Sequence, residues 1–278
     1  MLTDYHVHTA YSDDSNYPME DVVKDAIRLN LDEIAFTDHV DYDVKPDRNS
    51  NEMPPRFYNG LPIVNVDYPA YFEEIAYLKE KYGQKIRIVA GLEFGVQVHT
   101  VERYEKLFST WPLEFVILSI HQVEDKEFWN QDFQRGLTQK EFQLRQYQEL
   151  LDVVRLYKNY SVIGHIDSIK RYDQNLEFPF VQYRDILEEV FKIVIADGKG
   201  IEVNTSSERY GLPDFQPSTD ILRLYRDCGG EIITVGSDSH KPKHLASYIK
   251  VARDHLRELG FSYTCSYEEM KPVFHSLK

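Results

Sequence analysis

Seven short apolar runs recur along the chain, separated by stretches of helical spacing, and six of the seven end in a histidine, a glutamate or an aspartate. The runs cover residues 2–8, 33–37, 86–92, 115–120, 161–164, 200–203 and 232–236. Apolar runs of this length bounded by polar residues read as strands, and strands alternating with amphipathic helices read as a parallel sheet. Helical spacing fills the intervals, with the longest stretches at 68–82, 138–157, 181–196 and 244–259. The polar residues at the strand ends are His6, His8, His39, Glu93, His121, His165, Asp238 and His240. In an open doubly wound sheet such residues spread along an edge, whereas a closed barrel gathers every C-terminal strand end on one face. The pattern therefore predicts a closed α/β barrel of seven strands, with residues 1–278 forming a single domain.

The strand-end set also carries a chemical message. His6 and His8 stand two apart, and side chains two apart on a strand point the same way. Taken singly, each residue has an ordinary alternative: Glu93 as a helix-capping carboxylate, or Asp238 after Ser237 as turn chemistry. Taken together, six of the ten histidines occupy strand ends, and only His99, His244, His255 and His275 lie elsewhere. Imidazoles mixed with carboxylates suit first-row divalent ions such as Zn, Fe or Mn. Eight ligands exceed one tetrahedral site and suit two or three ions. Such clusters serve displacement at phosphorus, clamping the attacking and leaving oxygens and lowering the pKa of bound water.

Composition narrows the partners. A formal charge of -14 argues against a chain that grips a nucleic-acid backbone unaided. No apolar stretch is long enough to span a membrane, and no signal-peptide pattern opens the chain. Cys228 and Cys265 are far apart and form no Cys-x-x-Cys pair, so a reduced, cytoplasmic protein is expected. Residues 40–66 read as a long polar loop, either a lid or an insert, and 122–137 as a second. The tail to Lys278 reads as a short strand and helix.

The motifs His6-Val7-His8-Thr9, Thr37-Asp38-His39, Gly91-Leu92-Glu93, Ser119-Ile120-His121, Gly164-His165 and Gly236-Ser237-Asp238-Ser239-His240 together resemble the polymerase and histidinol phosphatase (PHP) family. The resemblance implies a distorted (β/α)7 barrel with two or three divalent ions. It implies that His6, His8, Glu93 and Asp238 hold the first ion, and that Glu93, His121 and His165 hold the second. His39 and His240 would hold a third with a loop side chain, where this chain offers Asp14, or its neighbour Asp13, in place of a frequent histidine. Arg171 and Arg209 fall in loops where the family carries phosphate-binding cations, with Lys170 as a rival to Arg171. Asn204 would orient a ligand or the substrate. Asp38 would orient a metal histidine or else protonate the leaving alkoxide. The implied reaction is hydrolysis of a small phosphomonoester; chain length, the 40–66 loop and Gly164-His165-Ile166-Asp167 favour L-histidinol phosphate. Alternatives within the family are phosphotyrosine, another small ester or a nucleic-acid end.

Overall fold

The computed structural model describes all residues except 49, 51, 52, 59, 174, 176 and 177. In chain order the strands are β1 (Thr3–Val7), β2 (Glu33–Phe36), β3 (His39–Val40), β4 (Arg56–Tyr58), β5 (Leu61–Ile63), β6 (Arg87–Gly95), β7 (Phe115–Ser119), β8 (Gln122–Val123), β9 (Lys126–Glu127), β10 (Val162–Ile163), β11 (Gly200–Asn204), β12 (Ile233–Gly236), β13 (Tyr263–Glu268) and β14 (Lys271–Ser276). The main helices are α1 (Met19–Arg28), α2 (Tyr68–Tyr82), α3 (Val101–Thr110), α4 (Gln139–Leu156), α5 (Arg184–Ala196), α6 (Thr219–Asp227) and α7 (Ile249–Glu258).

Seven parallel strands form one sheet in the order β1-β2-β6-β7-β10-β11-β12, each followed by a helix except at the short excursions. The sheet nearly closes. His8 N donates to Ser239 O at 2.8 Å and Ser239 N to His6 O at 3.2 Å, joining the first strand to the end of the last. The buried Asp4 carboxylate reinforces this seam by accepting from Ser237 N at 2.8 Å and Ala246 N at 2.9 Å. The apolar residues divide as strand alternation requires. In β7, Phe115 and Ile117 face the barrel interior with Tyr5, Val89 and Val162, while Val116 and Leu118 join the larger core beneath the helices.

Five expectations needed correction, the first being the second polar stretch, 122–137, which opens with the antiparallel β8–β9 hairpin. Glu93 lies inside β6, which runs on to Gly95 because β3 extends the line of β2 and pairs with it, His39 opposite Glu93. The 40–66 stretch is no plain loop: it starts in β3 and contains the β4–β5 hairpin, and part of it lies outside the described residues. The last helix starts at Ile249 rather than 244, since Ala246 and Tyr248 hold left-handed backbone angles that interrupt a helix. The tail is the antiparallel β13–β14 hairpin, not a strand and helix. It plugs the barrel's N-terminal mouth. Tyr267 packs on Tyr5 and Phe115, its N–H donates to Tyr5 Oη at 2.6 Å, and its carbonyl accepts from Arg87 at 2.7 Å.

Candidate metal centre and active site

At the opposite, C-terminal mouth the strand ends converge on the floor of a cavity of about 270 Å³. The pairing of β1 with β2 shifts between Asp4 and Val7, a bulge of the kind that re-aims side chains beside active sites. Tyr5 thereby joins the interior layer while His6 and His8 turn to the floor. Gly236 lets β12 approach: a Cβ there would lie 2.3 Å from His6 Cβ and 2.6 Å from a Glu202 oxygen.

The floor resolves into three overlapping groups. In the first, His6 Nε2 lies 3.2 Å from Glu93 Oε2 and 3.7 Å from Asp238 Oδ1, and His8 Nε2 lies 3.5 Å from each of these oxygens. A tetrahedral ion with bonds of about 2.0–2.2 Å separates its ligand atoms by about 3.3–3.6 Å, close to these nitrogen–oxygen spans. His8 Nε2 is buried without a hydrogen-bond partner, as a free ligand nitrogen would be. In the second group the other Glu93 oxygen faces His121 Nε2 at 3.1 Å and His165 Nε2 at 2.8 Å. In the third, Asp14 Oδ2 faces His240 Nε2 at 3.1 Å and His39 Nε2 at 3.5 Å. Asp13 is engaged differently, by Lys45 Nζ at 2.7 Å, which separates the two adjacent aspartates.

Hydrogen bonds behind the rings fix which nitrogen faces the centre. His6 Nδ1 meets Glu202 Oε1 at 2.6 Å, His121 Nδ1 meets Asp41 Oδ1 at 2.7 Å, and His240 Nδ1 meets Asp238 O at 2.9 Å. His8 Nδ1 meets Ser12 Oγ at 3.1 Å, and Ser12 in turn donates to Asp38. With Nδ1 occupied, these four rings present Nε2, whereas His39 turns Nδ1 to Glu93 Oε2 at 3.0 Å and Nε2 to Asp14.

The electrostatics follow from burial and crowding. Burial alone would raise Glu93, yet His6, His121, His39 and His165 hold its carboxyl well below the usual range. Asp238 is likewise held low by His6 and Arg171 against its burial, and Asp14 by His240 and His39. Burial works against protonation of His121, but Glu93 and Asp41 carry its pKa up to about 9. His8 falls well below its ordinary value through burial and the neighbouring His240 and His39.

All the expected strand-end residues meet at this floor. Arg171 lines the cavity, its guanidinium 3.0 Å from Asp238 Oδ2 and bonded to Gln216 and Ser206. Its rival Lys170 pairs with Asp167 at 2.8 Å instead. Arg209 is not among the lining residues; it donates to the carbonyls of Ser237 and Asp238 at 2.8 and 2.7 Å, bracing the loop that carries Asp238. Asp38 is fully buried and accepts from Thr9 N at 2.7 Å, Ser12 N at 3.0 Å and Ser12 Oγ at 2.8 Å. Burial raises it to about 6, and the groups it faces are protein donors. Asn204 donates toward Asp238 Oδ2 at 3.3 Å. Glu202, Asp41 and Lys45 escaped the sequence reading. Glu202 had one signal: it stands two before Asn204 on one strand and so shares its face.

A parallel barrel with imidazoles and carboxylates converging at its C-terminal mouth defines a metal-binding hydrolase barrel. Residues 4–206 match the PHP domain, and the chain belongs to the PHP family. It is 30% identical to the histidinol-phosphatase of Lactococcus lactis subsp. lactis, covering 96% of this chain and 95% of that protein. It is 26% identical to a probable histidinol-phosphatase of Clostridium acetobutylicum, over 99% and 96% of the two chains. The crystal structure of the Lactococcus lactis histidinol phosphate phosphatase, in complex with zinc, L-histidinol and phosphate, superposes with a TM-score of 0.82 over 98% of each chain.

Proposed function

We propose that the chain hydrolyses L-histidinol phosphate to L-histidinol and phosphate with divalent metal ions, the reading that the relatives' activity and the cavity floor jointly support. The observation that carries it is the convergence of the buried His6, His8, Glu93 and Asp238 at ion-binding spacing beside the second and third groups. His6, His8, Glu93 and Asp238 would hold one ion, Glu93, His121 and His165 a second, and His39, His240 and Asp14 a third. Zinc, iron or manganese fits this donor set. Bound there, such ions supply Lewis acidity toward phosphoryl oxygens and lower the pKa of water.

The chain's own groups do the rest. Arg171 takes up phosphate charge from the cavity wall, a task suited to a planar guanidinium. Arg209 steadies the Asp238 loop and retains further N–H groups for a phosphate oxygen. Asp38 seats His8 through Ser12. Phe128, Trp129, Tyr58, Tyr172 and Tyr210 wall the cavity and suit the apolar faces of an imidazole-bearing leaving group. We read residues 1–278 as a single unit working in the cytoplasm; among the described residues no helix is long and apolar enough to cross a membrane.

The test is phosphate release by metal-analysed protein from L-histidinol phosphate, p-nitrophenyl phosphate and bis-p-nitrophenyl phosphate. Strong preference for the first, lost with part of the metal in Glu93→Ala, is expected. Indiscriminate monoester cleavage would reject the substrate, and diester cleavage alone would favour nuclease-type chemistry.

A further inference from the structure

Lys45 is a buried lysine in the cavity wall, four residues beyond Asp41 in the stretch between β3 and β4. Its ammonium lies 2.7 Å from Asp13 Oδ1 and 3.0 Å from Asp41 Oδ2. The other oxygen of Asp41 meets His121 Nδ1 at 2.7 Å, and His121 Nε2 faces Glu93. A continuous chain of contacts thus runs from Lys45 through Asp41 to a proposed ligand of the second ion.

The backbone is shaped for this chain. Lys45 N donates to Asp41 O at 2.9 Å, and Asn65 Oδ1 accepts from Asp41 N at 2.8 Å while its amide donates to Lys45 O at 3.0 Å. Gly95, at the end of β6, leaves the space that the carboxylate fills: a Cβ there would stand 1.9 Å from Asp41 Oδ1 and 2.9 Å from His121 Nδ1. An unpaired buried carboxylate beside an imidazole would be drawn toward any nearby cation, including the ions themselves. A fixed ammonium on its far oxygen holds it in place behind the ring, and the same ammonium keeps Asp13 from competing with Asp14.

We propose that Lys45 is a positioning residue for the second ion, acting through Asp41 to fix the orientation of His121. The proposal rests on the metal assignment made above. Partners behind a metal histidine influence affinity by roughly 10–100-fold, which sets the expected effect.

The experiment measures zinc retained by the full-length protein against a graded chelator, by elemental analysis. Lys45→Met and Asp41→Asn should each weaken the hold on one ion by roughly 10–100-fold. Gly95→Ala, which displaces the carboxylate without changing charge, should do the same. The double variant Lys45→Met/Asp41→Asn should match Asp41→Asn alone, since Lys45 acts through that carboxylate. Lys45→Arg, keeping the charge, should retain more zinc than Lys45→Met. Parent-like retention by Lys45→Met, or a double variant that loses the product of the two single effects, would overturn the proposal. If Lys45→Met does not fold, Lys45→Gln is judged by the same criteria. Zinc retention needs no substrate, so a protein inert toward L-histidinol phosphate would reject the functional reading and leave this one intact.

Discussion

Glu202→Gln is a near-isosteric change whose effect can be worked from three hydrogen bonds. The buried carboxylate accepts from His6 Nδ1 at 2.6 Å, from His165 N at 3.0 Å and from Asn204 Nδ2 at 3.2 Å. A glutamine replaces one accepting oxygen with an NH2 group. Turned toward His165 N and Asn204 Nδ2, the NH2 sets donors against donors in a site with no water access; turned toward His6, it forces the ring to accept at Nδ1 and so places the ring proton on Nε2, the metal-facing nitrogen. A buried donor left unsatisfied costs about 1–3 kcal/mol. In a chain of this size about 2 kcal/mol corresponds to about 4–8 °C of melting temperature. The change also weakens the partner that fixes His6, so zinc affinity should fall roughly 10–100-fold, equivalent to about 1.4–2.7 kcal/mol. Thermal unfolding of the metal-free protein reads the first effect and chelator competition the second. A Glu202→Gln protein that melts with the parent and holds zinc equally well would refute the reasoning, because it would show that Glu202 neither satisfies buried donors nor seats the ring.

Three further outcomes are expected. Arg171→Met removes the cavity's guanidinium, and inhibition by orthophosphate should weaken roughly 10–100-fold, the loss of one charge-assisted bond; an unchanged inhibition constant would take Arg171 out of phosphate binding. Metal loading near neutral pH should release protons, because carboxylate neighbours raise His6, His39, His121 and His240 in the metal-free site, His121 to about 9. Protons then compete with metal, and apparent affinity should fall as pH falls; calorimetry in two buffers of different ionisation enthalpy that shows no net release would contradict this. Tyr267→Ala removes the aromatic plug of the barrel's far mouth and should lower stability by about 3–5 kcal/mol. Denaturant unfolding measures that loss, while zinc content of the folded protein should stay at the parent value, because the plug and the cavity lie at opposite ends.

The sequence was most readable where periodicity and chemistry coincide. Each apolar run marks a barrel strand, and the polar residue that ends it marks the floor of the cavity, since a parallel barrel turns every strand's end toward one mouth. Features that depend on tertiary approach were not readable. Only motif spacing favours Asp14 over Asp13 in the sequence; the pairing of Asp13 with Lys45, more than 30 residues away in the chain, carries no local signal. Asp41 serves His121 across 80 residues of sequence, from an irregular segment that carries no periodic signal. The C-terminal hairpin turns through Glu269 and Met270, both with positive φ, where a sequence reader looks for Asn-Gly.

The support behind the ligands shows why closure of the barrel and assembly of the centre are one event. His6 on β1 is braced by Glu202 on β11, and β1 meets the Ser237–Ser239 segment only through the seam that closes the sheet. His121 after β7 is braced by Asp41 after β3, and His8 after β1 by Ser12 and Asp38. For His6, His121 and, through Ser12, His8, the ring and the carboxylate that braces it come from different strands; His240 alone of these rings leans on a local carbonyl, that of Asp238. A lesion at the seam should therefore disturb ion binding before it disturbs the outer helices. Gly236→Ala is the sharpest case, since its Cβ would collide with His6 Cβ at 2.3 Å and with Glu202 at 2.6 Å. The strands must part there, moving ring and brace in opposite directions. Lost zinc with helical content preserved by circular dichroism is the expected signature, and a Gly236→Ala protein with full zinc would break the link between closure and the centre.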